Sequence, residues 1–204
     1  MTASPTTDAT TLTFVRHAHS PYVPNREAER GLSGRGRRDA ARVADVLARD
    51  DRTVDVVSSP YARAVETVQP IAEAAGTSVV TDDGFRDRAL AGDHVEDFEA
   101  AIERVWTEPT FAWPGGESND EAQARGLEAA ERTLERWPGD HVIVGTHGNL
   151  LALILRAYDD RYDFDFWREM AMPDVYRVTY RCGTPERITR IDPGARAGAR
   201  SAGD

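Results

Sequence analysis

Two histidines, His17 and His147, each follow a short apolar run that is rich in β-branched residues. Runs of this kind are typical of buried strands, here residues 12–16 and 141–145. The carboxyl ends of parallel strands meet at one edge of a sheet, where open α/β sheets bind ligands. The sequence therefore predicts that both imidazoles lie in one crevice. For His17 taken alone, the alternative is an ordinary strand followed by a polar loop.

Two arginines are predicted to share this crevice. Arg16 directly precedes His17, and Arg63 falls in the first turn of a helix that follows a third predicted strand, residues 54–58. A helix N-terminus offers free N–H groups to an anion, and the planar guanidinium donates paired hydrogen bonds to phosphate. Two arginines and two histidines repel one another unless an anion lies between them. A phosphate dianion is the ligand that this cluster favours.

The composition excludes several other classes of function. The 204 residues include 35 acidic and 25 basic ones, the formal net charge is −10, and every basic residue is an arginine. The absence of lysine excludes Schiff-base and Walker-type lysine chemistry. An acidic surface argues against nucleic acid and against an anionic membrane as partners. With no long apolar run, no signal-peptide pattern and one cysteine, Cys182, we expect a cytoplasmic protein.

Apolar strands alternate with amphipathic helices along the chain. Strands are predicted near residues 12–16, 54–58, 77–81, 141–145, 175–182 and 187–191, and helices near 33–51, 61–75, 95–106, 117–137 and 150–157. This alternation predicts an α/β protein, a three-layer α/β/α sandwich with a mostly parallel sheet. The predicted domain spans residues 12–192, between a flexible arm (1–11) and a flexible tail (193–204). The closing hairpin is either an ordinary sheet edge or a surface for a homodimer.

Four short motifs occur in a fixed order along the chain. They are Arg16-His17-Ala18, the segment Ser59-Pro60-Tyr61-Ala62-Arg63-Ala64-Val65-Glu66-Thr67, Gly116-Glu117-Ser118, and His147-Gly148. Together they resemble the Arg-His-Gly, Ser-x-x-x-Arg-Ala-x-x-Thr, Gly-Glu-Ser and late His-Gly motifs of the histidine phosphatase superfamily, which includes the cofactor-dependent phosphoglycerate mutases. The resemblance extends over residues 11–156 and implies a phosphoglycerate mutase-like fold.

The resemblance also implies a phosphomonoester hydrolase that acts through a phosphohistidine. In that scheme His17 is the nucleophile and must be neutral to attack phosphorus. Arg16, Arg63 and His147 hold the phosphoryl oxygens and stabilise the charge on the transferring group. No cofactor and no metal is implied, because arginines supply the positive charge.

At the proton donor to the leaving group, the chain departs from the family pattern. The family places a glutamate in a Leu-Arg-Glu context after its third strand, and this chain has Phe85-Arg86-Asp87-Arg88 there. Asp87 is the expected general acid, with Asp93 and Glu96 as alternatives. Ala18 stands where the family has glycine, which indicates a backbone that tolerates a Cβ atom.

Substrate specificity is expected in two irregular segments, residues 20–30 and 85–116. Ser20, Asn25, Arg86 and Gly148 are the expected contacts of a small phosphorylated substrate. A phosphoglycerate mutase is one alternative, and it needs extra cations for a second anion, for which Arg26, Arg30, Arg86 and Arg88 are candidates. A non-catalytic phospholigand-binding module is the other alternative, since it keeps the arginines and needs no acid.

Overall fold

The computed structural model describes residues 9–24, 26–48, 54–92 and 95–193. Its strands are β1 (Thr10–Arg16), β2 (Val54–Ser58), β3 (Val79–Thr81), β4 (His141–Thr146), β5 (Asp174–Arg181) and β6 (Thr184–Ile191). Its helices are α1 (Gly34–Leu47), α2 (Ala62–Ala75), α3 (Phe98–Thr107), α4 (Asn119–Arg136), α5 (Gly148–Arg156) and α6 (Phe164–Glu169), and a single 3-10 turn spans Asp83–Phe85.

The six strands form one sheet in the order β3-β2-β4-β1-β5-β6. β3, β2, β4 and β1 run parallel, whereas β5 and β6 form the antiparallel hairpin that the sequence predicts. β1 pairs with β4 in a register that places Arg16 opposite Thr146. Because these two strands are parallel neighbours, His17 and His147 leave the sheet side by side.

Helices cover both faces of the sheet and bury two separate apolar clusters. α1 and α2 cover one face, where Val43 and Ile71 pack against the strand residues Val15 and Ile143. α3, α4 and α5 cover the other face, with the apolar α5 at the centre of the larger cluster. This arrangement confirms the predicted three-layer α/β/α architecture. Within the described residues, no helix combines the length and the apolar character needed to cross a membrane.

Side-chain caps fix where two of the helices begin. Ser33 accepts a hydrogen bond from the Gly36 amide at the start of α1, as its sequence context predicts. At α4, Ser118 and Glu121 each bond the other's backbone amide, which forms a capping box. The serine of the Gly-Glu-Ser motif therefore starts a helix.

The first two differences from the predicted elements have local causes. β1 begins at Thr10, inside the predicted arm, because the turn after α4 holds it: Thr11 N donates to Asp140 O, and Gly139 N donates to Thr10 Oγ1. α2 continues through Pro70, although a proline inside a helix predicts a kink or a break. The buried side chains of α2 on either side of this proline pack onto the sheet and offset the lost hydrogen bond.

Two further differences lie near the C-terminal end of the described chain. α6 lies between residues 157 and 175, where the sequence predicts no helix or strand. Asp163 caps it by accepting from the Phe166 amide, and its aromatic side chains pack on Trp106. The hairpin turn is at Cys182 and Gly183, which both have positive φ, one or two residues earlier than predicted. Most of the predicted arm and tail, residues 1–8 and 194–204, lie outside the described residues, as do residues 49–51 at the predicted end of the first helix.

A glycine in α1 is required by its close approach to the loop after His17. A Cβ atom on Gly36 overlaps the carbonyl oxygen of His19, whereas one on Gly34 meets only the flexible Arg38 side chain at 3.8 Å. We expect Gly36→Ala to lower the free energy of unfolding by about 1–3 kcal/mol, because the backbone at His19 must move to make room for the added Cβ atom. Gly34→Ala, the matched control, should be neutral or slightly stabilising. Urea denaturation of both variants tests this, and equal stabilities would contradict it.

Candidate active site

His17 follows β1 directly and is buried, with its amide donating to the Thr146 carbonyl. Its Nδ1 atom lies 2.8 Å from the carbonyl oxygen of Ala18. A carbonyl oxygen only accepts hydrogen bonds, so Nδ1 carries the ring proton of the neutral imidazole. Nε2 then keeps its lone pair, and Arg63 Nε donates to it at 3.1 Å. The local geometry thus selects the tautomer that a phosphorus-attacking histidine needs.

The loop after His17 is fixed by a threonine of α2. Thr67 Oγ1 accepts from the Ala18 amide at 3.0 Å and donates to the Arg63 carbonyl at 2.6 Å. Ala18 is fully buried against Leu32 and Ala40. Cys182 is the only non-glycine residue with positive φ in the described chain, so the expectation that position 18 tolerates a Cβ atom is confirmed.

Arg63, in the first turn of α2, connects the groups of the site. Its side chain is only 1% exposed. Nε donates to His17, Nη2 donates to Asp87 Oδ2 at 3.2 Å, and Nη1 donates to the Glu27 carbonyl oxygen at 2.6 Å. The Glu27 carboxylate also lies 3.1 Å from Nη1. Burial lowers the pKa of Arg63, while the charges of Asp87 and Glu27 oppose that shift.

His147 follows β4 and is held by a serine at the end of β2. Its Nε2 lies 2.8 Å from Ser59 Oγ, and that oxygen already accepts from the Tyr61 amide at 3.2 Å. The serine hydroxyl can donate to Nε2, and the Asp87 carboxylate, which only accepts hydrogen bonds, favours the tautomer with the imidazole proton on Nδ1. Nδ1 lies 3.6 Å from Asp87 Oδ2. This arrangement gives the site a second neutral N–H donor.

The two imidazoles meet edge to face, with ring centroids 5.2 Å apart. Burial lowers the pKa of His17 well below its usual value, and the nearby His147 and Arg63 lower it further. Burial also lowers the pKa of His147 strongly, with Arg63 the next cause. Both histidines are therefore neutral at neutral pH. The prediction that the two strand ends bring these imidazoles together is confirmed.

Arg16, the last residue of β1, contacts the segment that precedes β5. Its Nη1 donates to the carbonyl oxygens of Met170 and Ala171 at 2.8 and 3.1 Å, while its Nε has no hydrogen-bond partner within the described residues. A Cβ atom on Gly148 would lie 2.7 Å from Arg16 Nε. Gly148, predicted as a substrate contact, thus makes room for the Arg16 guanidinium.

Asp87 is the predicted acid that lies within this cluster. It follows the 3-10 turn after β3, contacts Arg63 and His147, and is 31% exposed. Glu96 instead lines a cavity of about 620 Å³ with Arg104, Trp113 and other residues that include neither His17 nor His147. Asp93 lies outside the described residues. The positions of Asp87 and Glu96 therefore favour Asp87 as the acid.

Two of the remaining predicted substrate contacts, Ser20 and Arg86, bond other parts of the protein rather than the residues of this cluster. Ser20 Oγ donates to the Gly31 carbonyl oxygen at 2.8 Å. Arg86 forms ion pairs of 3.5 Å with Glu117 and 3.7 Å with Asp83. Asn25 lies outside the described residues. Both described side chains therefore hold protein segments in place, and their contact with substrate stays a prediction.

Sequence reasoning missed four residues that support the site. Ser59 orients His147, Thr67 holds the loop after His17, and the Glu27 side chain and carbonyl both reach Arg63. The Tyr61 ring packs against His147 and Arg63, at 5.2 and 5.0 Å. Ser59 and Thr67 are the two ends of the Ser-x-x-x-Arg-Ala-x-x-Thr segment, so the sequence did carry a signal for them. Nothing in the sequence singled out Glu27.

The assembled groups suit a phosphoryl anion. Arg16 and Arg63 supply positive charge, and the two neutral imidazoles supply a lone pair and an N–H donor. Among the described residues, no group of three or more histidine, cysteine, aspartate or glutamate side chains is placed to hold a metal ion.

Comparison with known proteins agrees with this geometry. Residues 12–188 match the sequence profile of the histidine phosphatase superfamily, branch 1. The chain belongs to the histidine phosphatase superfamily. This membership supports phosphatase or mutase activity in general terms.

The names of similar proteins include both a phosphatase and a phosphoglycerate mutase. Phosphoglycerate mutase-like protein 4 of Arabidopsis thaliana is 28% identical over 206 residues, which cover 92% of this chain and 82% of that protein. The fold is similar to a mycobacterial glucosyl-3-phosphoglycerate phosphatase, with a TM-score of 0.71, 22% identity and coverage of 89% and 97%. A phosphoglycerate mutase from Bacillus anthracis aligns with a TM-score of 0.70, 15% identity and coverage of 91% and 93%. These two structures show a shared fold.

The lowered pKa values of the two histidines have a measurable consequence. We expect both to be neutral at pH 6.5, the ordinary midpoint of a histidine, with the His17 proton on Nδ1. Long-range ¹H–¹⁵N NMR spectra over a pH series measure this, with His17→Asn and His147→Asn for assignment. Bound inorganic phosphate should raise both midpoints, because a dianion favours imidazolium. A midpoint at or above 6.5 without phosphate contradicts the prediction.

The same shifts predict how stability depends on pH. The unfolded chain binds protons at these histidines near pH 6.5, whereas the folded chain binds them only at lower pH. The contribution of the neutral buried rings is therefore present above about pH 6.5 and is lost as the pH falls through the folded-state pKa values.

Proposed function

We propose that the protein is a phosphomonoester hydrolase that acts through a phosphohistidine on a small phosphorylated metabolite, without a metal ion. One observation carries the proposal. The buried Arg63 guanidinium hydrogen-bonds both Nε2 of His17 and the carboxylate of Asp87. The proposed nucleophile, the proposed acid and the group that binds phosphoryl oxygens are therefore joined before any substrate binds.

In the first proposed step, Nε2 of His17 attacks phosphorus. The phosphoryl oxygens take hydrogen bonds from Arg16, Arg63 and the Nδ1–H of His147, which stabilise the charge on the transferring group. The P–O bond to the alcohol breaks as the N–P bond forms, and Asp87 gives its proton to the leaving oxygen. The short bond from Nδ1 of His17 to the Ala18 carbonyl stabilises the positive charge on the imidazole.

In the second step, water replaces the alcohol. Asp87 takes a proton from the water molecule, whose oxygen attacks phosphorus and breaks the N–P bond. The products are inorganic phosphate, neutral His17 and protonated Asp87, so the cycle balances. One carboxyl group serves as acid and then as base because both reacting oxygens occupy the same side of the phosphorus.

A buried cation beside Asp87 favours a second candidate, a phosphoglycerate mutase. Arg88 is 7% exposed, and its Nε and Nη1 atoms have no hydrogen-bond partner in the described part of the chain. Burial lowers the pKa of Arg88, with Asp87 and Glu117 opposing the shift. Arg88 is therefore not part of a solvated surface. A buried arginine at this place suits a second anionic group on the substrate.

The nucleophile is tested by replacing His17. We expect the wild type to hydrolyse p-nitrophenyl phosphate without added metal and His17→Ala to lose at least about a thousandfold in kcat. His19→Ala is the matched control, since the His19 side chain is exposed and its Nδ1 bonds the Ser33 hydroxyl rather than a residue of the site. Chelator-treated protein is used throughout. A wild type that binds phosphate and turns over no phosphomonoester would leave the non-catalytic binding module as the correct function.

The acid is tested by comparing two leaving groups. Asp87→Asn should lower kcat about 10²–10⁴-fold on alkyl phosphates, because their leaving oxygen needs a proton. The rate of its first turnover of p-nitrophenyl phosphate should fall less, because p-nitrophenolate leaves without one. That first turnover should give one p-nitrophenol per site and a phosphohistidine that acid quench and mass spectrometry detect. Glu96→Gln is the control and should keep wild-type rates. Full activity of Asp87→Asn on alkyl phosphates excludes the assignment.

The mutase candidate is distinguished by its product. Conversion of 3-phosphoglycerate to 2-phosphoglycerate, stimulated by bisphosphoglycerate and lost in Arg88→Gln, supports the mutase. Hydrolysis of phosphomonoesters without that conversion supports the hydrolase. A panel of phosphorylated metabolites compared by kcat/KM then identifies the substrate class.

A further inference from the structure

Asp174 is a completely buried carboxylate that the proposed reaction does not use. Its side chain is 0% exposed, and it lies at the start of β5. In the antiparallel pairing of β1 with β5, Asp174 is directly opposite Arg16. A carboxylate is rarely buried unless partners offset its desolvation.

Both oxygens of Asp174 are occupied by donors from its own segment and from β6. Oδ2 accepts from the Ala171 amide at 3.0 Å and Oδ1 from the Val175 amide at 3.1 Å. Arg190 donates to both oxygens, from Nε at 2.9 Å and from Nη2 at 3.2 Å. This paired contact is the strong form of an arginine–carboxylate bond. Asp174 thus ties the segment before β5 to the last strand of the sheet.

The segment that Asp174 holds is the one that receives Arg16. Arg16 Nη1 donates to the carbonyl oxygens of Met170 and Ala171, and Asp174 fixes the amide of that same Ala171. On its other side the Arg16 guanidinium fits against Gly148, which has no side chain to displace it. The orientation of the guanidinium therefore depends on where the backbone at Ala171 lies.

The charged groups of Arg190, Asp174 and Arg16 lie in the same order as these hydrogen-bonded contacts. Burial lowers the pKa of Arg16, and the negative charges of Asp87 and Asp174 oppose that shift. Arg190, 55% exposed, balances the charge of Asp174 from the solvent side. Arg190, Asp174 and Arg16 form an alternating series of charges that runs from the surface of β6 to the site.

We propose that Asp174, clamped by Arg190, is a positioning residue that aims Arg16 at the phosphoryl group. The proposal rests on the proposed function in so far as Arg16 contacts a phosphoryl group there. Asp174 touches no reacting atom, and it acts only through Arg16. The last hairpin of the sheet thereby takes part in anion binding.

The test uses substitutions at both ends of the clamp. Asp174→Asn removes the charge and keeps the shape, and Arg190→Gln removes the donor pair from an exposed position. Arg190→Lys keeps the charge without the paired geometry. Arg187→Gln, also exposed on β6, is the matched control. Each is made in the wild type and in an Arg16→Gln background, and thermal unfolding confirms that each variant is folded.

Two measurements are made on every folded variant. Calorimetry gives the Kd for inorganic phosphate, which needs no turnover, and steady-state kinetics on p-nitrophenyl phosphate separates kcat from KM. We expect Asp174→Asn to weaken phosphate binding about tenfold and Arg190→Gln by several-fold, with Arg190→Lys between it and the wild type. In the Arg16→Gln background the same substitutions should change the Kd less than about twofold, because their effect passes through Arg16.

Equal losses in both backgrounds overturn the proposal, as does an unchanged phosphate Kd in folded Asp174→Asn. If Asp174→Asn does not fold, Arg190→Gln and Arg190→Lys decide the question on the same criteria. The proposed function can fail separately. If phosphate binding depends on Asp174 but no phosphomonoester is turned over, the hydrolase is overturned and the positioning role is supported. If phosphomonoesters are turned over and the phosphate Kd does not depend on Asp174, the hydrolase is supported and the positioning role is overturned.

Discussion

The buried guanidinium of Arg63 is the contact on which the rest of the site depends. One side chain, held in the first turn of α2, donates to the nucleophile candidate, to the acid candidate and to the carbonyl of Glu27 in the loop above. Removing an arginine from water is costly, and only partners with matching geometry offset that cost. The positions of His17, Asp87 and residues 26–30 are therefore coupled, and a substrate phosphate must enter by exchanging for contacts that Arg63 already makes.

A strongly acidic protein thus maintains a small positive pocket whose buried arginines lie close to carboxylates. Arg63 has Asp87 and Glu27, Arg16 has Asp174 and Asp87 within electrostatic range, and Arg125 forms a close pair with Glu117 that helps to hold the segment of Arg86. Arginine suits this use because its charge survives burial and its fork fixes direction as well as distance.

Much of this arrangement was predictable from the sequence, for physical reasons. The two histidines could be placed because a buried parallel strand is visible in the sequence as an apolar run. The carboxyl ends of such strands lie at one edge of the sheet, so residues that directly follow them are neighbours. Arg63 could be placed because Ser58-Ser59-Pro60 signals the end of a strand and the start of a helix.

The parts that could not be predicted depend on contacts between residues distant in sequence. Asp87 could not be separated from Glu96 by spacing alone; only the folded chain shows that one reaches Arg63 and the other lines a separate cavity. Nothing in the sequence linked Glu27 to Arg63 or Asp174 to Arg190, because these arginines are 36 and 16 residues away. The short helix α6 was missed because its aromatic side chains are stabilised by Trp106 rather than by helical periodicity.

The proton on His17 is held by the carbonyl oxygen of the very next residue. A main-chain oxygen is present whatever amino acid occupies position 18, so no single substitution can delete this acceptor. The tautomer of His17, which leaves the lone pair on Nε2, is therefore set by the backbone and not by the side chain of a neighbouring residue. A substitution at position 18 can therefore change the packing of the loop while the same nitrogen of His17 keeps its proton.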